Sequence, residues 1–362
     1  MSDATAPSPT PLDRLGYTSL EPPIPSVERE DGCRLARVIA VHRERYTIHD
    51  GYDELPAEVT GRLMNAATAP ADFPTVGDWV YLQRFGDDMA IIHEVLPRRT
   101  FLQRRSAGKR VDIQAIAANI DTAFIVQGLD GNVNLRRLER YLAISLEAGI
   151  EPVVLLSKRD LVAETDLAEW TDAIRRDMPD LPVLPVSGTT GAGLDAIRER
   201  FSSGRTFCLL GSSGVGKTTL LNALIGTAAF ETATVRRGDH KGRHTTTRRQ
   251  LVMLPDGALI IDTPGMRELG TVAVESGIDD AFPEIRSLTG QCRFADCSHG
   301  GEAGCAVTAA VTAGEISPER LESYRKLQRE SERNAMTIAE RRRRDKELGK
   351  LYKSIMKGKE KK

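Results

Sequence analysis

The feature that most restricts this chain is an eight-residue run, Gly211-Ser-Ser-Gly-Val-Gly-Lys-Thr218, set between the apolar segment 206–210 and the helix-forming segment 219–225. Two glycines flanking four residues, then Lys-Thr, let successive backbone N–H groups turn inward around a β-phosphate. Lys217 supplies a point charge to the β- and γ-phosphates, and Thr218 a hydroxyl for Mg²⁺. Gly211, Ser212, Ser213, Gly214, Val215, Gly216 and Thr219 complete the cradle. A strand–loop–helix unit of this kind needs a sheet beneath it. Segments 121–126, 152–156, 182–186 and 258–261 read as buried parallel strands, and 134–148 as an amphipathic helix stopped by Gly149. The alternation predicts a doubly wound α/β sheet.

Asp262-Thr-Pro-Gly265 stands 44 residues past Thr218 at the end of a strand. There Asp262 is placed to hold Mg²⁺ through water, and Gly265 to give its N–H to a γ-phosphate. Between the two motifs lies Lys241-Gly-Arg-His-Thr-Thr-Thr-Arg248, a switch candidate. Thr246 is its favoured Mg²⁺ ligand, with Thr245 and Thr247 as neighbours. His244 is a candidate contributor to hydrolysis, weighed against a bystander in a polar loop.

Base choice is written upstream, in Ser157-Lys-Arg-Asp160 after one strand and Val186-Ser-Gly188 after the next. Asp160 can accept both the N1–H and the 2-amino group of guanine, and adenine offers neither donor on that edge. Lys158 can lay its stem along the ring. Ser187 and Gly188 can present a backbone N–H to guanine O6. These motifs precede the phosphate loop, so the nucleotide domain reads as circularly permuted.

The third constellation is Cys292-x4-Cys297-x-His299-x5-Cys305, which uses three of the five cysteines and one of six histidines. Four such donors make a closed tetrahedral set for one structural Zn²⁺. Cys33 and Cys208 read as small core residues.

Around these motifs the chain divides into a proline-rich disordered arm (1–31), a small β-barrel (32–105), the GTPase domain (106–275), a zinc-binding domain (276–335) and a basic helical tail (336–362). Five short runs, 34–41, 45–48, 58–64, 78–82 and 89–95, suggest an OB-fold. Ser317-Pro-Glu319 reads as a helix start. The net charge of −1 hides a basic end, with eleven Lys or Arg against four Asp or Glu from Ala339 to Lys362. That asymmetry points to an anionic partner met by the tail. The cysteines do not form a disulfide framework. There is no secretory signal and no run of about 18 apolar residues, which places the chain in the cytoplasm without a membrane partner.

Ile116-Ala-Ala-Asn-Ile-Asp121, the phosphate loop, Gly242-Arg-His-Thr-Thr-Thr247, Asp262-Thr-Pro-Gly265 and the cysteine cluster together resemble the ribosome small-subunit-dependent GTPase A (RsgA) family over about residues 33–335. The resemblance implies an OB-fold, a permuted GTPase domain and a zinc-binding C-terminal domain. It implies a monomer that cycles between GTP and GDP, binds the small ribosomal subunit and its rRNA, and assists late maturation of that subunit. Contacts of Thr246 and Gly265 with the γ-phosphate would reposition the zinc-binding part against rRNA. The barrel and the basic helix 341–362 would supply RNA backbone contacts.

Two departures qualify the match. The family reads Asn at position 157, and serine is expected to be too short to reach both the base and the phosphate loop, weakening guanine affinity while Asp160 keeps the preference. Met266 stands where Ras-like GTPases place a Gln, which predicts slow intrinsic hydrolysis. The rival readings are an RNA-binding scaffold with a weakened nucleotide site and a P-loop small-molecule kinase.

Overall fold

The computed structural model describes residues 10–17, 32–42, 45–86, 88–105, 113–226, 249–262 and 274–335. The first strands form a barrel because alternate residues along each strand put apolar side chains on one face. In β1 (Arg34–His42), β2 (Arg45–His49), β3 (Glu54–Val59), β4 (Trp79–Phe85) and β5 (Met89–Val95), inward residues such as Val38, Ile48, Leu55, Leu82 and Ile92 build one core. The strands close in the order β1-β2-β3-β5-β4-β1, with β3–β5 the parallel pair, which is the arrangement of an OB-fold.

One sequence expectation needs correction here. Residues 58–64 do not form a strand. The strand ends at Val59, and the Thr60 hydroxyl accepts from the Leu63 amide to cap a short helix, Gly61–Ala66. Pro56, which pairs opposite Thr47 inside β3, masks the strand in the sequence.

The proline-rich arm is also ordered in part. A helical turn, α1 (Pro11–Arg14), is closed by reciprocal bonds between Thr10 and Asp13. It docks through Leu15, which is buried, and through Tyr17, whose ring meets Trp79 edge-on at 5.1 Å. The buried guanidinium of Arg37 ties this turn to the barrel and to the next domain. It donates to the carbonyls of Leu15, Gly77 (3.3 Å) and Asn119 (3.1 Å). Burial lowers its pKa to about 10, so it stays charged at neutral pH.

With the barrel helix counted as α2 (Gly61–Ala66), the chain continues through a hairpin, β6 (Phe101–Arg105) and β7 (Ile113–Ala118). The α/β part follows as β8 (Thr122–Gly128), α3 (Leu135–Glu147), β9 (Glu151–Ser157), α4 (Glu164–Asp177), β10 (Val183–Pro185), α5 (Leu194–Arg198), β11 (Thr206–Leu210), α6 (Lys217–Ile225), β12 (Arg249–Met253) and β13 (Leu259–Asp262). The expected strands are present, and α3 starts where the Asn134 side chain accepts from the Arg137 amide. The sheet order is β10-β9-β8-β11-β13-β12, parallel except for β12. Chain order runs outward from β8 to β10 on one side and from β11 to β13 on the other. The order therefore reverses between β8 and β11, where such sheets bind ligands.

β12 was not foreseen, and it joins the two parts. It pairs with β1 at Ala40–Gln250 and Val41–Arg249, so barrel and α/β sheet form one continuous sheet of 11 strands.

Of the C-terminal helices, α7 (Glu275–Ala281) and α10 (Pro318–Ala335) pack against α3, while α8 (Pro283–Thr289) packs on α7 and α9 (Ala306–Ala313) on α8, all sharing one core. α10 begins at the Ser317 cap, as its sequence predicts. Its Arg320 is buried against the Phe282 ring, 4.0 Å from the centroid. The guanidinium reaches Glu139 (2.8 Å), Glu284 (2.9 Å) and the Ala281 carbonyl (2.7 Å). The Ser323 hydroxyl also donates to Glu139. Burial pushes the Glu139 carboxyl up, and Ser323 and Arg320 oppose that shift.

Removing one partner strands the other charge in the core. Arg320→Met is expected to destabilise the protein by about 3–5 kcal/mol, and adding Glu139→Leu to restore much of the loss. Denaturant midpoints of the two variants check this.

Candidate functional site

The phosphate loop leaves the carboxyl end of β11, beside β8. Its turns need glycine: Gly211, Gly214 and Gly216 have φ of 151°, 81° and 94°. A side chain on Gly211 would also stand 2.6 Å from the Val126 carbonyl. The loop curls around its own lysine, whose Nζ donates to the carbonyls of Gly211 and Ser212, both at 2.7 Å. α6 starts at Lys217, so its first amides and the positive end of its dipole face the loop. Thr218 and Thr219 lie in that first turn, partly exposed, with Ser213 and Gly214 at the exposed tip.

The two upstream motifs arrive at the same edge. Ser157 ends β9, and Asp160 lies exposed in the helical turn Arg159–Leu161 that follows. The Arg159 amide donates to the Val186 carbonyl (3.2 Å), linking this turn to the loop after β10. In that loop the buried Ser187 hydroxyl accepts from the amides of Thr189 (3.2 Å) and Thr190 (3.1 Å). Gly188 lies so close to α6 that a Cβ would be 3.0 Å from both the Leu220 amide nitrogen and the Thr219 carbonyl carbon. Only glycine fits without moving the helix that carries the phosphate loop.

Of the two contacts expected to lie beyond a serine taken together, Ser157 makes one. Its hydroxyl does reach the phosphate loop, lying 2.5 Å from the Val215 carbonyl and 3.1 Å from that of Gln127. β9 is held close enough to β11, through β8, for the shorter side chain to span the gap. Lys158 is in the left-handed region (φ 61°) and extends over the loop, with Nζ 2.6 Å from the Gly214 carbonyl.

The sequence reading missed Asp130, whose carboxylate lies 2.5 Å from the same ammonium. The available signal was an acid two residues past the end of a strand adjoining the phosphate-loop strand.

Several candidates lie outside the described residues: His244, Thr245, Thr246, Thr247, Gly265 and Met266, with the tail 336–362. The side chain of Asp262 is also outside them. Its backbone ends β13, which pairs with β11 from Leu259 to Ile261, so Asp262 leaves the sheet beside the phosphate loop. Of the proposed Mg²⁺ ligands, Thr218 alone has a described side chain.

At the far side of α3, Cys292, Cys297, His299 and Cys305 converge, with all four donor atoms within 4.8 Å of one another. A tetrahedral zinc ion with Zn–S of about 2.3 Å and Zn–N of about 2.0–2.1 Å requires edges of about 3.8 Å between sulfurs and about 3.5 Å from sulfur to nitrogen. Cys292 Sγ is 3.9 Å from Cys305 Sγ, and His299 Nδ1 is 3.6 and 3.5 Å from those two atoms. The donor set fits a tetrahedral ion.

Its loop is braced for the purpose. His299 is left-handed (φ 54°), and Glu302 accepts from the Ser298 hydroxyl and from the amides of Ser298 and Gly300. Those bonds, the Ser298 hydroxyl first, hold the Glu302 carboxyl down to about 2. Cys305 caps α9 by accepting from the Thr308 amide. Burial works against ionising its thiol, but the bonds from Thr308 and His299 outweigh it and pull the thiol down to about 6.

Comparison with known proteins agrees with this geometry. Residues 95–272 match the family described as RsgA GTPase. A Vibrio parahaemolyticus protein named Small ribosomal subunit biogenesis GTPase RsgA 2 is 40% identical, covering 97% of this chain and 94% of its own length. A Lactiplantibacillus plantarum protein of the same name is 47% identical over 83% of this chain and 84% of its own. Among solved structures, YjeQ from Thermotoga maritima superposes with a TM-score of 0.61 at 27% identity, over 83% of this chain and 98% of that one. The fold is shared also with YloQ, described as a circularly permuted GTPase (TM-score 0.60, 22% identity, 86% and 99% covered). In this chain the phosphate-loop strand is fourth of six in sequence, yet it sits at the centre of the sheet where the strand order reverses. On relatives matched almost end to end and a sheet whose connections are permuted in this way, the chain belongs to the RsgA GTPase family of circularly permuted GTPases.

Proposed function

We propose that this GTPase acts on the small ribosomal subunit, assisting a late step of its maturation and leaving when GTP is hydrolysed. The observation that carries the reading is the convergence of Ser157–Asp160, Ser187–Gly188 and Gly211–Thr218 on one sheet edge, in a chain whose relatives are named for biogenesis of that subunit. Lys217 and the amides at the start of α6 would neutralise charge building on the β- and γ-phosphates. Thr218, Thr246 and Asp262 would hold Mg²⁺, Gly265 would meet the γ-phosphate, and Asp160 would read guanine.

Cys292, Cys297, His299 and Cys305 would hold one structural Zn²⁺, which organises the loop between α8 and α9 and takes no part in hydrolysis. Because α3, α7 and α10 share a core, the C-terminal helices would move with the GTPase sheet rather than swing against it. The barrel and the basic tail would supply rRNA contacts. No described helix is long and apolar enough to cross a membrane. The protein would work as a monomer on cytoplasmic ribosomes.

Met266 offers no group to orient water, so the subunit would complete the catalytic centre, with His244 as a candidate within the chain. Turnover of GTP and ATP by purified protein, with and without small subunits, tests this. Slow GTP hydrolysis accelerated at least about tenfold by small subunits is the expected result, since groups supplied in trans accelerate GTPases by far more. Unchanged turnover overturns the ribosome-triggered reading. Preference for ATP would bring forward the kinase alternative. The scaffold alternative is weakened by the contact Ser157 keeps with the phosphate loop.

A further inference from the structure

We propose that Asp130 is a positioning residue for guanine nucleotide, acting by holding Lys158 across the phosphate loop. This rests on the assignment of Ser157–Asp160 as the base-reading segment. Three strand ends meet at this point. The Leu129 amide donates to the Ser157 carbonyl (3.0 Å), fixing the turn after β8 against the end of β9. Asp130 follows in that turn, which the Asn132 amide closes on the Gly128 carbonyl (3.1 Å). Its Oδ2 meets Lys158 Nζ at 2.5 Å, and the same ammonium reaches the Gly214 carbonyl at 2.6 Å.

The space is built for this contact. A Cβ on Gly128 would stand 2.7 Å from Asp130 Oδ1 and 3.5 Å from Val215 Cα, so any larger residue would push the carboxylate or the loop aside. A Cβ on Gly216 would lie 3.9 Å from Lys158 Cε, so the lysine stem runs over that glycine. Lys158 holds this course from a left-handed backbone, which is unfavourable for a non-glycine residue, so an anchor at its far end helps to hold it.

The reason for a second anchor lies in Ser157. Where the family has Asn, serine has one hydroxyl proton, and its nearest acceptor is the Val215 carbonyl. With that proton committed, the side chain has no second donor to offer, as an Asn amide would. Asp130 supplies the missing tie from the neighbouring strand. It fixes the ammonium, and through it the stem against which the base would stack. A carboxylate beside a phosphate loop would repel nucleotide if it stood alone, and Lys158 neutralises it.

The pair is partly exposed, with side chains 26% and 34% accessible, so it contributes little to stability. Its effect should appear in nucleotide binding.

The test compares Asp130→Ala, Asp130→Glu, Lys158→Met and the double variant Asp130→Ala/Lys158→Met, by steady-state GTP hydrolysis, by GDP affinity with a fluorescent analogue and by thermal melting. Asp130→Ala is expected to raise KM for GTP and Kd for GDP about tenfold, the weight of one charge-assisted hydrogen bond. The kcat at saturating GTP and the melting temperature of the nucleotide-free protein should be unchanged. Asp130→Glu should recover most of the affinity, and Asp130→Ala should add no further loss once Lys158 is Met. Unchanged affinity in Asp130→Ala, or an equal loss in both backgrounds, overturns the proposal. If Lys158→Met itself leaves GTP and GDP affinity untouched, the base-reading assignment fails instead.

Discussion

Replacing Lys217 with alanine is expected to lower GTP turnover by about 10²–10³-fold, or about 3–4 kcal/mol of transition-state stabilisation. The loop shows why this lysine cannot be replaced by a neighbour. Its Nζ is bound by the carbonyls of Gly211 and Ser212, on the opening turn of the cradle, so the charge is fixed at the loop's centre. Alanine removes that charge and leaves the two carbonyls facing a phosphate site with no cation between them. Arginine should not rescue the activity, because its forked head cannot occupy the position of a compact ammonium. Turnover and GDP binding measured together would separate the two roles of the residue. A variant that retained wild-type kcat/KM would remove Lys217 from the site.

The second large effect is expected at the metal cluster. Cys305→Ser, or treatment with a strong chelator, should release one zinc ion per chain and unfold the segment between α8 and α9. That segment has little regular structure of its own, and its order comes from four donors and the Glu302 brace. In small zinc modules the binding energy, about 10–16 kcal/mol, is folding energy. Cys305 is the most sensitive position because its sulfur is also the cap of α9. α7 and α10 should stay folded, since they pack against α3 in the larger core and are held by the buried Arg320–Glu139 pair. Limited proteolysis should therefore cut within 290–305 while basal GTP hydrolysis continues. An apoprotein with an unaltered cleavage pattern and no zinc by elemental analysis would refute the assignment.

Much of the site was legible because its chemistry is local. The phosphate loop declares itself in eight consecutive residues, since the glycines, the lysine and the threonine must be adjacent to wrap one phosphate. The metal ligands fall within fourteen residues for the same reason. The Ser317 cap was readable as well, because a cap bonds to amides two or three positions away. Two expectations failed: Pro56 hid a strand, and an arm rich in proline concealed the turn 10–17, which its own Thr10–Asp13 capping box closes and contacts with Arg37 and Trp79 hold against the barrel.

The amino-acid sequence by itself thus determined the nucleotide chemistry, the ligand set for a metal and the permuted order of the motifs, all of which are properties of short segments and their succession. The tertiary structure decided how those segments serve one another. It joined β12 to β1, making the strand that follows residues 241–248 continuous with the barrel. It set Asp130 against Lys158, 28 residues away, and Arg320 against Glu139, 181 residues away. Such pairings depend on the separation and register of whole elements. Those are set by the packing of the shared core, which no short stretch of sequence encodes.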